Sequence, residues 1–178
     1  AESNFAEVCF WALGSKALSA TGKIKPIDIA VKDTAGLIKF SEDNGIDLII
    51  PGQAAAIYAG LVNESQKAGI MAYGPTKEAA FLEESKAEAK LFMQRHKIPT
   101  ADFKIFANKS SAMSYCAGAK YPLVIKAVGP AEGKGVYICD SIIDATQAIT
   151  EIMVNQRFGK SGSRIVIEDC LIGEEASY

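Results

Sequence analysis

Residues 124–138 read VIKAVGPAEGKGVYI, and no other feature of the chain restricts its fold as much as this one. Glycine lets backbone approach a phosphate closely, and lysine supplies charge, so the segment has the ingredients of a nucleotide loop. Spacing excludes two common kinds. A Walker loop places four residues between its first glycine and Gly-Lys, then Ser or Thr; here three residues separate Gly129 from Gly133, and Gly135 follows Lys134. A dinucleotide-binding turn leads from a strand into a helix. Val136, Tyr137 and Ile138 instead have the β-branched or aromatic character of a second strand. The segment therefore predicts a hairpin bearing a glycine-rich flap, not a helix N-terminus.

The first half of the chain alternates. Short apolar runs at 7–13, 27–31, 46–50 and 70–73 suit strands buried on both faces. Helix-like segments TAGLIKFSED (34–43) and AAAIYAGLVNESQKAG (54–69) lie between the last three, with Asn44-Gly45 and Gly69 where helix C-caps belong. This pattern predicts a parallel sheet with helices on its faces and a ligand site near residues 12–15, 51–54 and 73–76, where strands end. Residues 85–97 predict a helix opened by a Ser85/Glu88 capping box and stopped before Pro99. Beyond it the order becomes β-α-β-β-α-β, with the flap on antiparallel strands. The expected division is a parallel-sheet α/β domain over 1–100, including a linking helix at 85–97, and a smaller α+β lobe over 101–178.

Among 178 residues, 49% are hydrophobic and 22% charged, with a net charge of -2. That is the composition of a soluble globular protein and gives no electrostatic reason for a nucleic-acid partner. No apolar run is long enough to cross a bilayer, and AESNFAEV lacks the regions of a signal peptide. Cys9, Cys116, Cys139 and Cys170 are widely spaced, and His96 is the single histidine, which argues against a zinc site or a disulfide framework. Four buried reduced thiols in a cytosolic (cytoplasmic) setting are the expectation. A start at Ala1 beside a strand and a stop at GEEASY directly after one lead us to expect a piece of a longer protein.

Single residues are ambiguous. A lysine such as Lys126 in an apolar strand is most often just turned to solvent; the flap beside it favours a phosphate. A plain long hairpin turn is the lesser alternative for the flap, since turns seldom need so many glycines. Lys86, in the first turn of a helix, opposes the helix dipole, which suits a ligand anion, yet alone it reads as a surface residue. In IVIEDCLIGEEAS, the carboxylates Glu168, Asp169, Glu174 and Glu175 read singly as solvated charges. Together they read as a hinge, where extended backbone meets an adenine edge and a later carboxylate a ribose. His96, at the end of a cationic helix, is assigned no catalytic role.

In combination these segments resemble the ATP-grasp fold, and within it the phosphoribosylamine–glycine ligase family of purine synthesis. The segments that carry the resemblance are YGPTKEAAFLEESKAEAKLFMQRHKIPTA (73–101), VIKAVGPAEGKGV (124–136) and IVIEDCLIGEEAS (165–177). The resemblance implies a Rossmann-like pre-ATP-grasp domain followed by the small lobe of an ATP-grasp fold. It implies a reaction in which ATP, with Mg2+, activates glycine as an acyl phosphate that phosphoribosylamine attacks. Lys86 and Lys126 would hold ATP phosphates, with Gly133, Lys134 and Gly135 closing over them. Glu168, Asp169, Cys170 and Leu171 would contact adenine, largely by backbone, and Glu175 the ribose; Gly52 and Gln53 would face phosphoribosylamine. The implied partners are small molecules, with no nucleic acid or membrane, and with room for other purine-pathway domains on the same chain.

The chain departs from the family at Gln53-Ala54, where Gly-Pro-Glu is usual, and at Pro130 and Glu132, where small residues are usual. The family's magnesium-binding carboxylate and asparagine would follow Tyr178, so the metal ligands are expected outside this segment, and the segment alone is expected to show no ligase turnover. Two alternatives stay open. Another ATP-grasp carboxylate ligase, of biotin carboxylase or purine carboxylase type, is disfavoured by residues 74–101. A non-catalytic nucleotide-binding or interaction module derived from a ligase is favoured by Ala54 and Glu132 and opposed by the near-complete hinge.

Overall fold

The structure is a computed structural model and describes residues 6–12, 22–131, 133–174 and 176. The chain divides into two compact units, Ala1–Ala80 and Phe81–Tyr178. In the first, β1 (Cys9–Ala12) pairs in parallel with β2 (Ile24–Ile27), and β3 (Leu48–Ile49) pairs in parallel with β4 (Met71–Ala72). Parallel pairing follows from the alternation, but β2 precedes the expected 27–31. The Cys9 amide donates to the Lys23 carbonyl at 2.8 Å and sets IKPI beside CFWA. Past Ile27 the Asp33 amide donates to the Ala30 carbonyl at 2.9 Å, and that turn consumes the rest of the expected strand.

Asp33 then caps α1 (Thr34–Asp43), accepting from the Gly36 amide at 2.9 Å. The next helical segment does not run through. Gly60 adopts φ +90 and splits it into α2 (Ala54–Tyr58) and α3 (Leu61–Lys67), a backbone state that favours glycine. Ala56, Leu61 and Val62 are buried, as is Ser65, whose hydroxyl donates to the Leu61 carbonyl.

The second unit opens with α4 (Phe81–Glu84) and α5 (Lys86–Arg95), so the helix that the sequence attaches to the first domain falls in this unit. Ser85 caps α5 by accepting from the Glu88 amide. There follow β5 (Phe103–Phe106), α6 (Lys109–Ala117), β6 (Leu123–Ala127), β7 (Val136–Cys139), α7 (Ile142–Ile149) and β8 (Ile165–Asp169). The strands form one antiparallel sheet in the order β5-β8-β6-β7. The expected hairpin is present, with Leu123 opposite Cys139 and Lys126 opposite Val136. The α7 helix is short. After Ile149 it widens into a π-helical turn, Thr150–Val154, and Gln156 turns the chain at φ +48.

Alternation along β6 and β8 sorts the sheet into two faces. Leu123, Ile125, Ala127, Ile165 and Ile167 pack with residues of α6 and α7, including Ala112, Cys116, Ala145 and Ile149. On the other face Val128 and Val166 pack against Ala87 of α5, with Phe103 and Ile105 alongside. Lys126 and Glu168 share the alternation of Val166 and so belong to the α5 face.

Burial of all four thiols is corrected: Cys116 and Cys139 are buried, Cys170 is half-buried and Cys9 is exposed. Cys9 lies on a strand with alternating partial exposure, which strand periodicity alone does not reveal. Desolvation, followed by the nearby charge of Asp144, pushes the Cys139 thiol up to about 11, and burial also raises Cys116. A thiol reagent at mildly alkaline pH should therefore label Cys9 quickly and leave Cys116 and Cys139 unmodified until denaturant is added. Mass spectrometry that finds Cys139 labelled in the folded protein would contradict this packing.

Candidate functional site

Two lysines, Lys90 and Lys126, converge on one buried carboxylate, and a third, Lys86, lies in the field of Lys126. Register places Glu168 of β8 opposite Val124 and Lys126 opposite Val166, so the two side chains are diagonal neighbours on one face. Lys126 Nζ forms an ion pair with Glu168 Oε1. Lys90, one turn after Lys86 on α5, brings its Nζ to 2.5 Å from Glu168 Oε2. Oε2 is buried and accepts no hydrogen bond of good angle, so charge rather than directed bonding joins it to Lys90. The Glu168 side chain is 7% exposed, that of Lys90 12% and that of Lys126 26%. Removing one partner from a buried pair of this kind typically costs about 3–5 kcal/mol, because the other charge is left uncompensated.

Lys86 completes the group. Its amide donates to the Val128 carbonyl at 2.9 Å, and its Nζ donates to the Gly129 carbonyl at 3.2 Å. Burial lowers its pKa below the usual lysine range; Glu83 opposes the shift and the like charge of Lys126 adds to it. The expected site lysines Lys86 and Lys126 are thus brought into one electrostatic neighbourhood. Lys90 was missed: inside SKAEAKLFMQRHK it has the look of any solvated helix charge, and only its spacing of four from Lys86 hinted at a shared face.

The flap leaves this cluster from β6. Its glycines serve different ends. A Cβ at Gly129 would stand 2.7–2.8 Å from Ser161, and one at Gly135 would stand 2.6 Å from the Ala131 Cβ, so both are demanded by close packing. Gly133 adopts φ +76 in open space and lets the chain turn, with the Lys134 amide donating to the Ala131 carbonyl at 2.8 Å. The Lys134 side chain is exposed. Glu132 lies outside the described residues, as does Glu175.

The hinge residues divide. Glu168 sits with β5 on one side and β6 on the other, so its backbone lies within the sheet and its side chain faces the lysines. The Asp169 amide donates to the Asp102 carbonyl at 3.0 Å, and the Cys170 amide to the Pro122 carbonyl at 3.4 Å. Sheet pairing stops there; Leu171 is 75% exposed and Ile172 90%. In the first unit, Gly52 and Gln53 are exposed between β3 and α2, with Gln53 at the N-cap of α2 making no side-chain capping bond. Among the described residues no three His, Cys, Asp or Glu side chains are grouped to hold a metal ion, and no helix is long and apolar enough to cross a membrane. Chemically, the lysine cluster suits a multivalent anion such as a nucleotide's phosphates; it offers ammonium groups, not the oxygen ligands that magnesium takes.

Comparison with known proteins gives the family. Residues 84–178 match the family model of the phosphoribosylglycinamide synthetase ATP-grasp (A) domain, and residues 1–83 match that of the phosphoribosylglycinamide synthetase N domain. The chain is 39% identical over 178 residues to a phosphoribosylamine–glycine ligase of Haemophilus influenzae, a span of 100% of this chain and 42% of that protein. It is 40% identical to the human trifunctional purine biosynthetic protein adenosine-3, across 99% of this chain and 18% of that protein. The chain thus spans less than half the length of these relatives. Among solved structures, a phosphoribosylamine–glycine ligase of Thermotoga maritima superposes with a TM-score of 0.72 at 28% identity, over 93% of this chain and 38% of that one. A biotin carboxylase–β,γ-ATP complex of Campylobacter jejuni gives 0.75 at 21% identity, over 93% and 40%, a likeness of fold. With its two halves matched by the two models, the chain belongs to the phosphoribosylglycinamide synthetase family.

Proposed function

We propose that the chain forms the ATP-phosphate side of a phosphoribosylamine–glycine ligase, which joins glycine to 5-phosphoribosylamine with conversion of ATP to ADP and phosphate. The observation that carries the reading is the grouping of three lysines at the root of the flap, Lys90 and Lys126 on Glu168 and Lys86 on the Gly129 carbonyl. A carboxylate does not react with an amine until one of its oxygens becomes a leaving group. ATP supplies that by phosphorylating glycine, and the phosphoribosylamine nitrogen then attacks the acyl carbon and expels phosphate. The part assigned to this chain is positioning and charge neutralisation. Lys126 and Lys86 hold phosphate oxygens as fixed cations, and Gly133–Gly135 lie over them. Leu171, where sheet pairing has ended, offers backbone to an adenine edge, its carbonyl held only by the weak donor Cys170 Sγ at 4.0 Å. The cationic donor set does not fit magnesium, and no step is assigned to that ion. The test is phosphate release that requires both glycine and phosphoribosylamine; release driven by bicarbonate instead would point to a carboxylase.

The two phosphate lysines differ in cost. Lys126 is held on a strand by Glu168, whereas Lys134 is exposed and loses rotamer freedom on binding. Lys126→Ala should weaken ATP binding by about tenfold or more, the worth of a charge-assisted bond, and Lys134→Ala only severalfold. Equal losses in calorimetry would reject this ranking.

Lys86 offers an electrostatic check. Its pKa is lowered first by burial and further by the like charge of Lys126. Lys126→Ala removes that like charge and favours the protonated form, so the Lys86 pKa should rise. An NMR titration of the lysine side chains in which Lys86 stays put or falls would show that the two do not share a field.

A further inference from the structure

Within the nucleotide reading above, on which it rests, we propose that Lys90 is a positioning residue that keeps Glu168 satisfied and thereby frees Lys126 for a phosphate. Its ammonium is held on three sides, by an ion pair with Glu168 Oε2 at 2.5 Å and by hydrogen bonds donated to Thr100 Oγ1 at 2.6 Å and the Ala101 carbonyl at 3.5 Å. The Phe103 ring lies 5.6 Å from Nζ. Lys90 is therefore fixed. Lys126 is the reverse case: among the described residues its one partner is Glu168 Oε1, and its side chain is about twice as exposed.

Glu168 is too buried to be left without a counter-ion. With Lys126 alone as counter-ion, every phosphate oxygen would compete with that carboxylate for the same ammonium. Lys90 relieves the competition. It remains with Glu168 while Lys126 turns toward the ligand, so the exchange strands no buried charge. The effect is specific to phosphate-bearing ligands, because adenosine makes no demand on Lys126. A merely structural Lys90, pinning residues 100–101 to α5, would instead affect every ligand alike.

The experiment is calorimetry of ATP and of adenosine binding to the unaltered chain, Lys90→Gln, Lys90→Arg, Lys126→Ala and the Lys90→Gln/Lys126→Ala double variant. We expect Lys90→Gln to weaken ATP about tenfold and adenosine less than about twofold, as loss of one charge-assisted contact would. Lys90→Arg should restore most of the ATP affinity. In the Lys126→Ala background Lys90→Gln should cost nothing further, since the lysine it frees is gone. Equal weakening of ATP and adenosine, or full additivity with Lys126→Ala, overturns the proposal while leaving the nucleotide reading intact. No effect of Lys126→Ala on ATP sinks that reading, and the proposal with it. If Lys90→Gln does not fold, Lys90→Gln/Glu168→Gln removes the carboxylate that needs compensating. It should bind ATP as tightly as Glu168→Gln alone, and weaker binding overturns the proposal.

Discussion

The Glu168 carboxylate is a charge that the second unit cannot leave to itself. It sits at 7% exposure near the end of the central strand β8, with Lys126 on one oxygen and Lys90 on the other. Two features of the backbone put it there. Antiparallel register sets β8 against β6 so that Lys126 falls diagonally beside it, and α5 crosses the same face with lysines one turn apart. Stability alone does not account for the arrangement. A well-packed apolar trio of similar volume would be as stable, since Coulombic gain in a buried pair rarely exceeds the cost of desolvation. The other face of the same strands shows that alternative: Leu123, Ile125, Ile165 and Ile167 are packed under α6 and α7 without a charge among them. The contrast between the two faces of a single sheet marks the α5 side as the one with chemistry to do.

The flap is closely packed at its base. Gly129 lies so close to Ser161 that a methyl group would displace backbone, and Gly135 meets Ala131 and Ala127 in the same way. Its amide bond to the Ser161 carbonyl ties Gly129 further to the turn before β8, and Phe158 borders Gly135. Only around Gly133 is there open space. Close packing at Gly129 and Gly135 thus fixes the two ends of the flap, with the lysine cluster beside the first. Tyr137, the second residue after the flap, donates to Glu151 at 2.9 Å, and Arg157 reaches the same carboxylate at 2.6 Å. The π-helical turn that carries Glu151 is therefore bound to the hairpin.

What was legible in the sequence was local. TAGLIKFSED forms the helix its caps foretell, Ser85 and Glu88 open α5, and the apolar-glycine-apolar order at 124–138 makes the hairpin. Departures come where a tertiary demand overrode a local pattern. Gly60 broke a helix whose periodicity ran through it, and the turn from Ala30 to Asp33 ended a strand expected from the apolar run at 27–31. Lys90 was not legible because its partner is 78 residues away in sequence (168 minus 90), and a lysine on a helix gives no local sign of burial. Glu168 was read as contributing backbone. Its central place in the sheet leaves the side chain as what faces the cluster, and no strand pattern indicates which strand will be central.

The three lysines, chemically identical, are graded by what they hold. Lys90 is saturated by a carboxylate, a hydroxyl and a carbonyl. Lys126 has half a carboxylate. Lys86 has a single carbonyl, with burial and a neighbouring cation both disfavouring its charge and Glu83 as the opposing influence. Satisfaction thus falls from Lys90 through Lys126 to Lys86. A monovalent anion could relieve only the last of these. A polyphosphate, with several oxygens at fixed spacing, would relieve Lys86 and Lys126 together, and in the proposed arrangement Lys90 would keep Glu168 compensated meanwhile.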